Sequence, residues 1–173
     1  MAVDGIEAYK LFARLLPGPV LDIGCSVGAS EAFLLGTGYV GIDPLCWREV
    51  GGTIRGKTED EVIAGWREKE RSRPGTKYFK VGFEEFLTTD IWYNTIVCFE
   101  VLEHYTNGLE LAERLKMFCD HLLISVPYKE SEVAAARNGH VLHGLDYVDF
   151  PGFRPASSSP FFGRMFLGWE RGS

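Results

Sequence analysis

Residues 20–28 read VLDIGCSVG, and residues 39–43 read YVGID. Val20 to Ile23 is a short, β-branched run, apolar on both sides of Asp22. That is the pattern of a central parallel strand covered on both faces. Gly24 and Gly28 then allow a tight turn, a helical stretch from about Ala29 to Leu35 ends at Gly36-Thr37-Gly38, and Tyr39 opens a second strand. Strand, turn, helix and strand in about 25 residues predict a right-handed βαβ crossover.

Working outward, Ile6, Tyr9, Phe12, Ala13 and Leu16 fall at helical spacing, and Pro17-Gly18-Pro19 stops that helix. Residues 44–77 are polar and less regular. Within them Thr58 can cap a helix, with Glu61 in place for a capping box, and Arg71 to Gly75 ends it. Tyr78–Val81, Thr95–Glu100 and His121–Val126 predict three further strands, with helical periodicity at Leu109, Leu111, Ala112 and Leu115 before the last. Beyond Pro127 the pattern loosens through Ser131, Ala134 to Ala136 and Gly139, then HVLHGLDYVDF. The chain closes on FGRMFLGWE, read as an edge-region strand. The expected fold is α/β, a doubly wound, mostly parallel sheet of seven strands with an antiparallel strand near the C-terminus. It forms one domain over residues 1–173, with an insert at 44–77 that serves as a lid or substrate-recognition element.

Composition bounds the partners. A chain of 173 residues, 46% of them hydrophobic, can bury one good core and has no room for a second full domain. The formal net charge of −6 argues against nucleic acid as a partner, because a phosphate backbone usually asks for a basic face. Cys25, Cys46, Cys98 and Cys119 form no C-x-x-C pair and read as reduced, mostly buried thiols, which points to a cytoplasmic protein. No signal-peptide pattern opens the chain and no apolar stretch approaches the roughly 20 residues that span a bilayer, so no membrane role is expected.

In a doubly wound sheet the ligand lies outside the carboxyl ends of the strands at the switch point, so residues just after strands one to four should face one crevice. After strand one comes DIGCSVG, where the backbone can approach a ligand and the next helix offers free N–H groups. Asp43, about 20 residues on, can accept both hydrogen bonds of a ribose diol. GFEEF (82–86) follows strand three and EVLEH (100–104) follows strand four. The first turn also fits a dinucleotide fingerprint with serine at the second glycine, which leaves an NAD-type oxidoreductase as an alternative.

VLDIGCSVG, YVGIDP, CFEVLEHY and LLISVPY, in that order and spacing, resemble the successive motifs of Rossmann-like (class I) S-adenosylmethionine (SAM) dependent methyltransferases. The resemblance covers roughly residues 18 to 128. It implies SAM as cofactor, with Asp22, Gly24, Cys25, Ser26 and Gly28 at its amino acid end. Asp43 would hold the ribose, Phe83 and Glu84 would meet the adenine, and Glu100 would border the methyl-donor end. Two positions depart from the family pattern. Ser26 stands where a glycine is usual, narrowing the approach but adding a hydroxyl for the SAM carboxylate, and Phe83 replaces a frequent acidic residue.

The implied reaction is methyl transfer to an oxygen or nitrogen acceptor on a small molecule or glycan. Catalysis then rests chiefly on alignment, and an oxygen acceptor of high pKa also needs a base. His104, His140 and His143 are the candidates. His140 is preferred because it falls after strand five, where the family's acceptor site tends to lie, and His104 comes second. A non-catalytic SAM-fold module is a further alternative.

Two patterns are weighed and set aside. Gly51 to Thr58, GGTIRGKT, satisfies G-x-x-x-x-G-K-[ST], but DPLCWREV before it makes a poor buried strand, so a flexible basic loop is expected rather than a phosphate loop. The spacing of Glu100, Glu103 and His104 with a later His140 or His143 permits a metal cluster, and similar residues serve metal-dependent RNA 2′-O-methyltransferases. EVLEH is common in metal-free relatives and the acidic balance is unlike the RNA enzymes, so no metal is expected.

Overall fold

The computed structural model describes residues 18–28, 38–45, 56–87, 91–156 and 163–172. The helices expected at 6–16 and 29–35, Cys46, and residues 51–55 of the GGTIRGKT loop lie outside these. The fold is a seven-stranded α/β sheet, mostly parallel, with antiparallel strands toward the C-terminus. The chain divides into two compact units, Met1–Ile91 and Trp92–Ser173.

In the first unit β1 (Val20–Ile23), β2 (Tyr39–Ile42) and β3 (Thr76–Phe79) pair in parallel in the order β3-β2-β1. All four residues of β1 are buried, as an apolar run covered on both faces requires. In β3 burial alternates instead, Thr76 and Tyr78 inward and Lys77 and Phe79 outward, as on a half-covered strand. Helix α1 (Glu59–Ser72) begins at the expected capping box: Thr58 Oγ1 accepts from Glu61 N, and Glu61 Oε2 accepts from Thr58 N. That use of Thr58 also removes the hydroxyl that a phosphate loop would need. Val62 and Trp66, four residues apart, form the buried stripe of α1. The Trp66 indole stacks on Tyr78 with centroids 5.3 Å apart and planes 9° from parallel. A single helical turn, α2 (Phe83–Phe86), follows β3.

In the second unit β4 (Tyr93–Phe99) and β5 (Cys119–Pro127) are parallel, and β5 pairs antiparallel with β7 (Arg164–Glu170). The two-residue β6 (Arg154–Pro155) pairs with β7, giving the order β4-β5-β7-β6. The closing strand is therefore inside this order and β6 forms the edge. Helix α3 (Gly108–Leu115) buries Leu111, Ala112 and Leu115, as its periodicity predicts. At Gly108 a Cβ would stand 2.1 Å from Leu102 O, so only glycine lets α3 start against the short 3-10 turn Leu102–His104. Helix α4 (Glu132–Asn138) is capped by Ser131, whose side chain accepts from Ala134 N, and ends at Gly139 with φ 72.

Cys25, Cys98 and Cys119 are buried free thiols. Burial pushes the Cys25 and Cys119 thiols up, the latter to about 12, which keeps them protonated and inert. No helix among the described residues is long and apolar enough to cross a membrane. Removing the Trp66 indole is the severest test of the first unit. Trp66→Ala is expected to lower unfolding free energy by about 3–5 kcal/mol in urea titration, whereas a drop under about 1 kcal/mol would show that the stack carries no core.

Candidate active site

In the first unit the chain turns after β1 through Gly24, Ser26 and Gly28, all left-handed, at φ 75, 52 and 70. For glycine this costs little, but a serine there carries a penalty of roughly 1–2 kcal/mol. Hydrogen bonds hold it in place. Gly24 N and Cys25 N donate to Ile42 O at 2.9 and 3.1 Å, and Gly28 N donates to Cys25 O at 2.8 Å. Ser26 N donates to Asp43 Oδ2 at 2.8 Å, while Asp43 Oδ1 accepts from Leu45 N at 2.7 Å. The glycine-bearing turn and the carboxylate after β2 thus meet directly, with Asp43 fully buried.

Side chains from α1 and β3 close the turn from behind. Trp66 Nε1 donates to Ser26 O at 3.0 Å, Lys69 Nζ donates to Val27 O at 3.3 Å and to Gly28 O, and Tyr78 OH reaches Gly28 O at 3.5 Å. At Gly28 a Cβ would lie 2.5 Å from the Tyr78 hydroxyl. This glycine is thus dictated by Tyr78 as well as by backbone angle. Sequence reasoning did not foresee Trp66, Lys69 or Tyr78 as supports of the turn. Lys69 and Trp66 lie some forty residues downstream, and spacing along a chain carries no signal for a side chain reaching a distant carbonyl.

The remaining predicted residues of this unit are distributed as follows. Asp22 is fully buried in β1 and accepts from Tyr39 OH at 2.6 Å. Phe83 is buried at the start of α2, and Glu84 beside it is exposed. Ser26 Oγ is buried and has no hydrogen-bond partner. An unpartnered buried hydroxyl is costly, and it stands where the sequence anticipated a hydroxyl that meets a polar ligand group.

The second unit gathers a different set. Glu100, just after β4 at φ 55, accepts from Arg164 Nε at 2.5 Å and from Ser125 Oγ at 2.9 Å. Its carboxylate is thereby tied to β5 and β7. Glu103 is fully buried in the following turn, and neither of its carboxylate oxygens has a hydrogen-bond partner. Burial, and then the charge of Glu100, hold its carboxyl well above the usual carboxylate range. The Glu103 backbone carbonyl accepts from Val141 N at 2.8 Å and Leu142 N at 3.0 Å, which straps the segment after α4 onto this turn.

That strap brings the histidines together. His140 Nδ1 lies 2.6 Å from Glu130 Oε2, and His140 Nε2 lies 4.0 Å from Glu103 Oε1. His104 Nδ1 lies 3.1 Å from Gly139 O, and the two imidazoles meet edge to face with centroids 4.8 Å apart. A carbonyl can only accept, so His104 Nδ1 carries its proton, and a carboxylate acceptor at Nδ1 sets the same tautomer on His140. In the neutral form of each ring the lone pair is then on Nε2. Burial pushes the His104 imidazole below its ordinary value, which favours the neutral ring. Glu103, His104 and His140 offer ligand atoms within 4.8 Å of one another, whereas His143 is exposed and outside this group. Glu130 was not anticipated, because nothing in the sequence pairs it with a histidine ten residues later.

A family model described as a methyltransferase domain matches residues 6–166. Solved structures share the fold. One is the N-methyltransferase NodS from Bradyrhizobium japonicum WM9 in complex with S-adenosyl-L-homocysteine. It has TM-score 0.70 and 15% identity, with 97% of this chain and 87% of that one covered. Monomeric WbdD gives TM-score 0.64 and 18% identity, covering 95% of this chain and 39% of that chain. Magnesium protoporphyrin IX methyltransferase (ChlM) from Synechocystis PCC 6803 with bound SAM gives TM-score 0.59 and 19% identity, covering 95% and 75%. No curated protein matches by sequence.

The strained serine makes its own prediction. Ser26→Gly removes both the left-handed penalty and the unpartnered hydroxyl at the cost of chain entropy. Unfolding free energy of the ligand-free protein is expected to rise by about 1 kcal/mol. A fall of that size in thermal or urea unfolding would mean that the serine is held by interactions other than those described.

Proposed function

The chain belongs to the class I, Rossmann-like SAM-dependent methyltransferases, and from that premise we propose that it methylates an oxygen or nitrogen acceptor on a small molecule or glycan. The observation that carries the cofactor half is the 2.8 Å bond from Ser26 N to Asp43 Oδ2, which joins the two anchors on which the family reading depends. The residues fit the cofactor. The buried, unpartnered Ser26 hydroxyl suits the charged amino acid end, beside Gly24, Cys25 and Gly28. Asp43 takes the ribose, Phe83 and Glu84 flank the adenine, and Asp22, whose carboxylate accepts from Tyr39 OH, lies at the amino acid end. Glu100 borders the methyl-donor end as a positioning residue, its side chain held by Arg164 and Ser125.

When bound, SAM supplies an already activated methyl group, so the chain's own task is alignment and, for a hydroxyl acceptor, proton removal. His140 is the proton acceptor in this reading. Glu130 fixes its tautomer through Nδ1, leaving Nε2 to take the proton, and His104 packs edge to face against the ring. For the acceptor class, ChlM is a magnesium protoporphyrin IX methyltransferase and NodS an N-methyltransferase. The net charge of −6 points the same way, away from nucleic acid.

Calorimetry with SAM and S-adenosylhomocysteine tests the cofactor half. Asp43→Ala is expected to weaken binding by roughly 10- to 100-fold, the worth of hydrogen bonds to a charged group. Undiminished affinity in a folded variant would remove Asp43 from the site. For the acceptor half, His140→Ala should keep SAM affinity and lose about 10²-fold or more in turnover. Normal turnover would take His140 out of the mechanism.

A further inference from the structure

We infer that Glu103, His104 and His140 form a binding site for one divalent first-row transition-metal ion of the Zn²⁺ or Co²⁺ type. Three observations converge on it. The candidate ligand atoms lie within 4.8 Å of one another; tetrahedral ligands about 2.1 Å from an ion stand roughly 3.4 Å apart, so side-chain rotations close the gap. Both histidines already make the contact that metal-bound histidines make on their far side. His104 donates Nδ1–H to Gly139 O and His140 to Glu130 Oε2, so each fixed tautomer leaves Nε2 as the ligand atom. Finally, Glu103 is fully buried with both carboxylate oxygens unpartnered, and Oε1 lies 4.0 Å from His140 Nε2. A buried carboxyl without hydrogen bonds is a costly polar group that stays there only uncharged, and a bound cation is a partner that would allow it to ionise.

The donor set selects the ion. Two imidazoles and one carboxylate suit Zn²⁺, Co²⁺ and their neighbours, whereas Mg²⁺ and Ca²⁺ prefer all-oxygen shells. Three protein ligands leave a coordination position open, and the exposed His104 puts the cluster within reach of solvent. The inference is an alternative to the proton-acceptor role given to His140 above, and the test below separates the two. With the ion present, His140 is a ligand and not the proton acceptor.

The test uses the full chain stripped of metal by chelator. Co²⁺ titration followed by visible absorption, and Zn²⁺ calorimetry, should give one ion per chain with nitrogen and oxygen ligation and no thiolate-to-cobalt charge-transfer band. Glu103→Gln and His104→Ala should each weaken Co²⁺ by at least tenfold while SAM affinity is retained, and His143→Ala should leave it unchanged. Glu130→Gln should weaken it by about 10- to 100-fold. Should Glu103→Gln fail to fold, the exposed His104→Ala decides. No saturable binding, thiolate ligation, or unchanged affinity in His104→Ala overturns the inference. Loss of turnover in His140→Ala with no metal bound to wild type would sink the ion and leave the proton-acceptor reading standing. Stoichiometric metal with normal turnover in His140→Ala would do the reverse.

Discussion

Everything in the first unit depends on a carboxylate that has been taken out of water and given to backbone N–H groups. Asp43 is fully buried, and an isolated charge there would be intolerable. It is tolerated because Ser26 N and Leu45 N donate to its two oxygens, and charge-assisted bonds of this kind are about twice as strong as neutral ones. The same bonds fix the turn after β1. Ser26 sits in the left-handed region because its N–H must point at Asp43, and the strain is held by Trp66 on its carbonyl and by Lys69 on the next two. One electrostatic requirement thus propagates from β2 to the turn and from the turn to α1.

The second unit solves a similar problem with the opposite outcome. Glu100 is neutralised by Arg164 and Ser125, so its charge is accounted for within the chain. Glu103, three residues on, lends its backbone carbonyl to Val141 and Leu142 but receives nothing on its carboxylate. The backbone strap explains why His140 is near it at all. A segment with little apolar content of its own, where only Ala135 of α4 is buried, is docked chiefly by two hydrogen bonds to one carbonyl.

Much of this was legible in the sequence because it is local. The β-branched run at β1, the capping box at Thr58 and Glu61, and the apolar stripe of α3 are patterns within one element, and each appears where its residues require. The meeting of the 24–28 turn with Asp43 was legible too, since parallel pairing of β1 and β2 puts the residues after them side by side. What was not legible is contact between distant segments. Residues 44–77 read as an insert, and nothing in that pattern tells that Trp66 and Lys69 within them bond the carbonyls of the 26–28 turn. α4 gave no helical signal because Ala134 to Ala136 make a weak stripe. The closing strand read as an edge because β6, only two residues long, leaves no pattern of its own.

Polar satisfaction separates structure from function here more sharply than conformation does. Among the described residues four non-glycine residues have positive φ, Leu45 and Lys129 included, so strain alone does not single out a site. Buried polar side chains without partners are more selective. Among the described residues Ser26 and Glu103 are both nearly or fully inaccessible with unpartnered side chains, whereas Asn94 and Tyr147 carry an unpartnered atom on residues that are only half-buried. A fold leaves such groups unsatisfied only where something outside the chain completes them, because each costs about 1–3 kcal/mol or more for a charge. Ser26 lies in the turn that the family gives to the amino acid end of SAM, and Glu103 Oε1 lies 4.0 Å from His140 Nε2. The two orphaned groups therefore mark the two places where the chain asks for a partner outside itself, the 24–28 turn in the first unit and the Glu103–His140 cluster in the second.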